Sequence, residues 1–348
     1  MRKIVKQVLA IDVDQKLLVT TLGCMYDDWT PELYAQKTFS NTKKGFEALL
    51  AWVKKNTVTD VTVRFVMEAT GVYHEQLAYF LDDNKEELTV VLPNKISNYM
   101  RTLEVKTITD KTSSEAIARF GLERKLELWK RPKDIYKKLR QLTRERDQLV
   151  AERTMVKNQL HAEQAESEPG KSSIARIKAR IKMLDKQEQE IKAELSALIA
   201  TDSEMKKIVV LLCSLSGIGI LTAATVLAET NGFEQIRSRR QLASYAGLDV
   251  KEKQSGTSVK GKPRISKKGN KYLRKAMHLP ALTAIRHDER FKAVFARIVS
   301  KHGIKMKAVV AVQRKLLEMM FILFKTNKKY DKGYLIKNTI NVSEAQNI

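Results

Sequence analysis

The chain has 348 residues, with 64 Lys and Arg against 40 Asp and Glu, a formal net charge of +24. A hydrophobic content of 43% is enough to build packed cores and excludes a disordered chain. No apolar run nears the roughly 18 residues that cross a bilayer, the N-terminal MRKIVKQVLAIDVDQ has no signal-peptide core, and Cys24 and Cys213 make neither a disulfide framework nor a zinc motif. A reduced, cytoplasmic protein of two or three domains, with no membrane partner, is expected.

Residues 4–13, IVKQVLAIDV, are β-branched and apolar and predict a strand; after the turn DQK, LLVTTLG over 17–23 completes a hairpin. Phe46, Leu49, Leu50 and Val53 share one side of a helix predicted over 41–56. VTVRFVMEA (61–69) predicts a buried strand, Gly71 the opening of a helix to about Leu81, and LTVVLP (88–93) a strand stopped by Pro93. Asp110 precedes the helical stretch KTSSEAIARFGLER. This order predicts an α/β domain with a mixed sheet over 1–128, with Trp52 and Trp129 packed in or beside it.

Residues 129–204 predict an arm, whose stretch 135–200 reads as long polar helices with almost no aromatics. Ile174, Ile177, Ile181, Leu184, Ile191, Leu195 and Leu198 follow a 3-4 spacing, with Glu188 at one polar seam position. Leu139, Leu142, Leu149, Val156 and Leu160 form a less regular stripe, and Glu168-Pro169-Gly170 separates the two. The pattern predicts a coiled-coil arm of two helices, the second on the order of 40 Å long. The exposed stripe predicts self-association into a dimer or tetramer, with an intramolecular helix pair as the alternative. Residues 205–325 predict a mostly helical domain interrupted by a Gly/Lys-rich loop at 250–270, and 326–348 a polar tail.

The charge is partitioned. Residues 1–125 carry a net +1, 126–205 a net +3 and 206–348 a net +20. Such an excess predicts a polyanion, DNA or RNA, bound mainly by the last third. Arg286, Arg290, Arg297 and Lys301 form a solvated or an RNA-binding face. The five histidines show no metal-ligand spacing.

Asp12 lies within AIDV, Glu68 lies in FVMEATG where the buried strand gives way to a loop, and Asp110 stands at a helix entrance. Carboxylates among apolar strand residues are costly unless paired or metal-bound. Three of them converging at strand ends form an oxygen-rich site suited to Mg²⁺ and to phosphoryl transfer. Taken alone, Asp110 also suits a helix cap.

AIDVDQK, MEATGVYHEQLAYFL and KTITDKTSSEAIARFGLER resemble the nuclease-like half of bridge-RNA-guided insertion-sequence transposases, the DEDD enzymes that also use a serine. SLSGIGILTAATVLAE and SRRQLASYAGLDVKEKQSGTSVKGKPRISKKGNKYLR are similar to their second domain, so the likeness spans most of residues 5–325. It implies an RNase-H/RuvC-like mixed-sheet domain, a coiled-coil arm and a helical serine domain, that is, α/β plus all-α. It implies a DNA transposase that cuts and rejoins DNA with Mg²⁺, guided by an element-encoded bridge RNA. Carried over by position, Asp12, Glu68 and Asp110 are the first three acids, and the fourth position holds Ser113. This departs from the family pattern. Ser113 offers a neutral, weaker ligand; Asp14, two residues from Asp12 along a strand, and Glu115 are the substitutes.

The resemblance points to Ser255 as nucleophile. Gly256 allows close approach of a phosphate, and ten Lys and Arg with a single acid, Glu252, lie within 251–275. Lys260, Lys262, Arg264, Lys267, Lys268, Lys271 and Arg274 are the expected nucleic-acid contacts, with Ser258 and Ser266 as rival serines. A serine needs a base or a metal; the acids of the first domain would supply activation. Gly217 and Gly219, in Leu215-Ser216-Gly217-Ile218-Gly219, resemble a helix-hairpin-helix turn on DNA phosphate, or equally a packing turn. A metal-dependent Holliday-junction resolvase would need the acids alone, and a non-catalytic nucleic-acid-binding relic neither.

Overall fold

The computed structural model describes residues 2–103, 107–252, 254–255, 259–260 and 264–331, with 254–255 and 259–260 described by their backbone. Two compact units follow one another along the chain, Met1–Arg131 and Pro132–Ile348.

The first unit is built on β1 (Ile4–Val13), β2 (Leu17–Tyr26), β3 (Pro31–Ser40), β4 (Val63–Glu68) and β5 (Glu87–Val91), in the order β3-β2-β1-β4-β5. β2 runs antiparallel to both β1 and β3, whereas β1, β4 and β5 are mutually parallel, so the sheet is mixed, as expected. β3 is an addition to the expected strands. Only Phe39 of its residues is buried, so an edge strand wet on both faces shows little apolar alternation.

α1 (Lys43–Asn56) and α2 (Glu75–Asp83) pack with Leu9, Ile11, Phe65 and Met67 on one face of the sheet. Gly71 does not open α2; its φ of +53° bends the preceding turn, and the helix starts at Glu75. α3 (Pro93–Met100) and α4 (Asp110–Glu123) pack with Val8, Ala10 and Val66 on the other face. Pro93 ends β5 and opens α3, where its missing N–H costs nothing. β1 and β4 therefore feed two cores with alternate residues, and their continuous apolar character follows from that double burial. Gly121 sets how closely α4 approaches: a Cβ there would stand 2.9 Å from Val8 Cγ1. Trp52 and Trp129 pack half-buried against the first core, as expected.

The second unit begins with α5 (Asp134–Gln164) and α6 (Lys171–Thr201), each of 31 residues, about 45 Å at 1.5 Å per residue. Arg146 and Arg153 meet Glu188 and Asp185 while Arg180 meets Gln159, so the helices run antiparallel as a hairpin. Toward its tip, Val156, Ile177 and Leu184 are buried with Leu149, Leu160 and Ile181 half-covered; at its root, Ile191, Leu195 and Ile199 join Tyr136, Leu139 and Leu142 in the main core of the unit. The stripe that suggested self-association is thus covered by α5 of the same chain, the intramolecular alternative. Beyond the hairpin come α7 (Ser203–Cys213), α8 (Ile220–Glu229), α9 (Arg239–Tyr245), α10 (Lys271–Ala276), α11 (His278–His287), α12 (Glu289–His302) and α13 (Lys305–Thr326). Between α9 and α10, β6 (Val250–Lys251) pairs with β9 (Arg264–Ile265), and β7 (Gln254–Ser255) with β8 (Val259–Lys260), all antiparallel.

Glu188 is buried in the hairpin seam and accepts from Arg146 Nη2 at 2.8 Å, from Lys192 Nζ at 3.0 Å and from Arg153. Burial alone would raise its carboxyl; hydrogen bonds from Lys192, Arg146 and Arg153 outweigh that and hold it down to about 2. A depressed carboxyl stabilises the fold above its unfolded value of 4.5, and the contribution is lost as pH falls toward 2. Glu188→Ala should destabilise the chain by about 2–3 kcal/mol at pH 7, because it strands two arginines in the seam. In thermal unfolding the gap between wild type and variant should narrow steadily below about pH 4.5. A gap independent of pH would show that the carboxylate is not held ionised by these partners.

Candidate active site

Alternation along the strands decides where the acids point. Ala10 of β1 and Val66 of β4 belong to the core under α3 and α4; Asp12 and Glu68, each two residues further on, face the same side. The parallel register sets Ala10 beside Val66 and Ile11 beside Met67, so the two carboxylates end neighbouring strands at one level. α4 runs back along β1. Gly121 lies on Val8, and Ser114 Oγ is 2.8 Å from the hydroxyl of Thr21, the β2 partner of Ala10. The first residue of α4, Asp110, is thereby carried to the level of Asp12.

Asp110 is not the helix cap. Thr109 is: its hydroxyl accepts from Thr112 N at 3.2 Å, and Thr109 N donates to Thr112 Oγ1 at 2.8 Å. The Asp110 carboxylate stays outside that box, in the first turn, where the helix dipole favours an anion.

Burial pushes the Asp12 carboxyl up to about 6, and the charges of Glu68 and Asp110, then that of Asp14, push the same way. Burial also raises Glu68. The three acids share one region of unbalanced negative charge. Among the described residues, no three His, Cys, Asp or Glu side chains are placed to hold one metal ion. Hard carboxylate oxygens with uncompensated charge are nonetheless the donor set of a divalent cation such as Mg²⁺.

Ser113 and Glu68 line the same cleft, of about 500 Å³. Asp14 lies past the end of β1, exposed, with its N–H donating to Leu17 O at 2.9 Å. Glu115 accepts from Gln36 Nε2 at 2.9 Å, toward β3.

In the second unit, Ser255 stands on β7 opposite Val259. Gly256, Ser258 and Lys262 lie outside the described residues, as do the side chains of Ser255 and Lys260. The base of their loop is closely tied. Ser266 Oγ donates to Asp249 Oδ1 at 2.5 Å, and Ser266 N to Asp249 O at 2.8 Å. The Arg274 guanidinium donates to Ala246 O at 2.8 Å and Gly269 O at 3.0 Å, which engages it in holding the loop. Arg264, Lys267, Lys268 and Lys271 are exposed. Gly217, at φ +87°, makes a packing turn, since a Cβ there would stand 2.5 Å from Pro280 O; Gly219 caps α8 and faces open space.

Sequence reasoning missed Glu229. Its carboxylate is buried, takes Arg144 in a bidentate pair at 2.7 and 2.9 Å, and accepts from Asn270 Nδ2 at 2.6 Å. It joins α5 to the residue that caps α10, where the basic loop ends. The available signal was a lone charge in the apolar helix ILTAATVLAE.

A carboxyl whose folded value is raised from 3.8 to about 6 costs stability as pH rises through that window. Asp12→Asn, measured in chelator at pH 8, should stabilise the chain by about 1–2 kcal/mol, a few degrees in Tm. The gain should vanish below about pH 4. A variant less stable than wild type at pH 8 would contradict the crowding of the three acids.

Two family models match the chain: the Transposase IS116/IS110/IS902 family over residues 209–296 and a DEDD transposase family over 21–163. The pilin gene-inverting protein of Moraxella bovis is 30% identical over 304 residues, 85% of this chain and 90% of that protein. Its counterpart in Moraxella lacunata matches to the same extent. Among solved structures, Thermus thermophilus RuvC in complex with a Holliday junction substrate aligns over 35% of this chain and 99% of its own, at 7% identity and a TM-score of 0.27. With both halves matched in order, and a relative aligned over nearly its whole length, the chain belongs to the IS116/IS110/IS902 family of transposases.

Proposed function

We propose that this transposase cuts and rejoins DNA with the acids of its first unit and a serine of its second, directed by a bridge RNA from its own element. The observation that carries the reading is the shared negative charge of Asp12, Glu68 and Asp110, set at two strand ends and a helix start in a DEDD-family chain. The strand order, with a hairpin and edge strand followed by two parallel strands, is that of RNase-H-like nucleases and supports the same reading.

Asp12, Glu68 and Asp110 would hold Mg²⁺, with Ser113 or Asp14 at the fourth position. Ser113 is favoured by its place in the cleft with Glu68. The bound ion supplies Lewis-acid stabilisation of phosphate oxygens. Ser255 Oγ attacks the scissile phosphorus, the hydroxyl proton is lost, the P–O3′ bond breaks and the leaving 3′ oxygen takes a proton, giving a 5′-phosphoserine. Lys260, Lys262, Arg264, Lys267, Lys268 and Lys271 neutralise the strand around that phosphate, whereas Arg274 keeps the loop base in shape. Base pairing by the RNA would account for a chain whose sequence offers no recognition-helix set or zinc fingers.

The test is a denaturing gel of labelled DNA with the RNA and Mg²⁺. Ser255→Ala should abolish the covalent protein–DNA adduct with binding retained. Asp12→Asn should lower cutting by about a hundred- to a thousandfold, the range for removing one charge-stabilising group from an active site. Ser113→Ala should cost more than Asp14→Asn. An adduct that survives Ser255→Ala would reassign the nucleophile, and cutting that survives Asp12→Asn would remove the acid site.

A further inference from the structure

The cleft that holds Glu68 and Ser113 has a second wall, which neither the acids nor the serine loop uses. Asn94, Ser97 and Arg101 line it. Their spacing of three and then four residues puts them on one face of α3, and Arg101 keeps helical backbone angles, φ −64° and ψ −26°, as the cap. Tyr99 turns to the core, while the core residues Ile96 and Met100 also border the cleft, as do Pro93 and Ile108, so the polar side chains stand at the rim of a partly apolar wall. All three polar residues are exposed, and no described carboxylate pairs with Arg101.

A nucleic-acid strand meets an electrostatic problem here. Its phosphates must approach a centre of three carboxylates, in a part of the chain with a net charge of only +1 over residues 1–125. The long-range field of the last third attracts DNA but does not place one phosphate beside Glu68. Local donors must do that, and a guanidinium fork with an amide and a hydroxyl on one helix face is a phosphodiester-binding set.

Resting on the proposed cutting site, we infer that the Asn94–Ser97–Arg101 face of α3 binds the DNA sugar-phosphate backbone beside Glu68. It holds the strand against the repulsion of the acids and is blind to base identity.

The full-length chain carrying Ser97→p-benzoylphenylalanine is irradiated with labelled duplex DNA of the element's ends and its RNA. A crosslink to DNA is expected. Arg101→Ala in the same background should cut the yield by about fivefold or more, and Arg101→Lys should restore part of it, as expected for one charge-assisted phosphate contact. Gel-shift affinity should fall by no more than the crosslink yield does, because the last third supplies most of the phosphate contacts. No crosslink at full gel shift, a yield indifferent to Arg101, or a crosslink to RNA in place of DNA would each overturn the inference. Asp12→Asn separates the two readings. If cutting survives it, the cutting site falls; if it abolishes cutting while the crosslink ignores Arg101, only the α3 assignment falls.

Discussion

Like-charge crowding is the constraint on which the first unit turns. Two parallel strands end under the start of one helix, and each contributes a carboxylate. Period-two burial compels this: β1 and β4 fill the core below α4 with Val8, Ala10 and Val66, so Asp12 and Glu68 must emerge on that same side. Gly121 lets the helix backbone rest on Val8, which sets the height at which Asp110 arrives. The core that stabilises the sheet therefore also fixes the charge density at its end. Folding this arrangement without a counter-charge costs energy, which appears in the upward shift of Asp12.

The second unit solves the opposite problem, since it must hold a strongly cationic loop in place. Here one buried anion does the organising. Glu229 binds Arg144 of the hairpin and Asn270 at the start of α10, and the Tyr245 hydroxyl reaches its carbonyl at 2.9 Å. The Asp249–Ser266 contact and the two carbonyls held by Arg274 tighten the same base. Arg264, Lys267 and Lys268 are left facing solvent, while Arg274 at the loop's foot is consumed by structure. Arg144→Ala would leave a buried carboxylate with an amide alone to satisfy it, a far costlier loss than removing a surface cation.

Much of this was legible in the sequence because burial leaves a periodic record. β1, β2, β4 and β5 are apolar on one or both faces, and their strings announced them. The acids stood out for the same reason, as charges interrupting apolar runs. β3 left no such record, because an edge strand with only Phe39 buried needs no alternation. α3 is eight residues long and begins at a proline that also reads as a stop, so its polar face was invisible without the cleft that receives it. The hairpin stripe was legible as a stripe, but sequence alone does not say which helix covers it; the antiparallel pairing of Arg146 and Arg153 with Glu188 and Asp185 does. Glu229 depended on partners 85 and 41 residues away, and no local pattern encodes such a meeting.

Ser113 bears on how the crowding is balanced. A fourth carboxylate in that cleft would add another like charge to a site where Asp12 already resists ionisation. A hydroxyl adds a ligand oxygen at no electrostatic cost to the empty fold, but it contributes less to holding a cation. Such an exchange would lower the energy stored in the unliganded site and weaken its hold on the proposed ion. A chain with three acids should then depend more on contacts to the DNA backbone, whose phosphate oxygens complete the shell of a divalent ion that the protein alone holds loosely. That would give Arg101 on the cleft wall a physical reason: a phosphate completing the shell of the proposed ion would itself need to be placed.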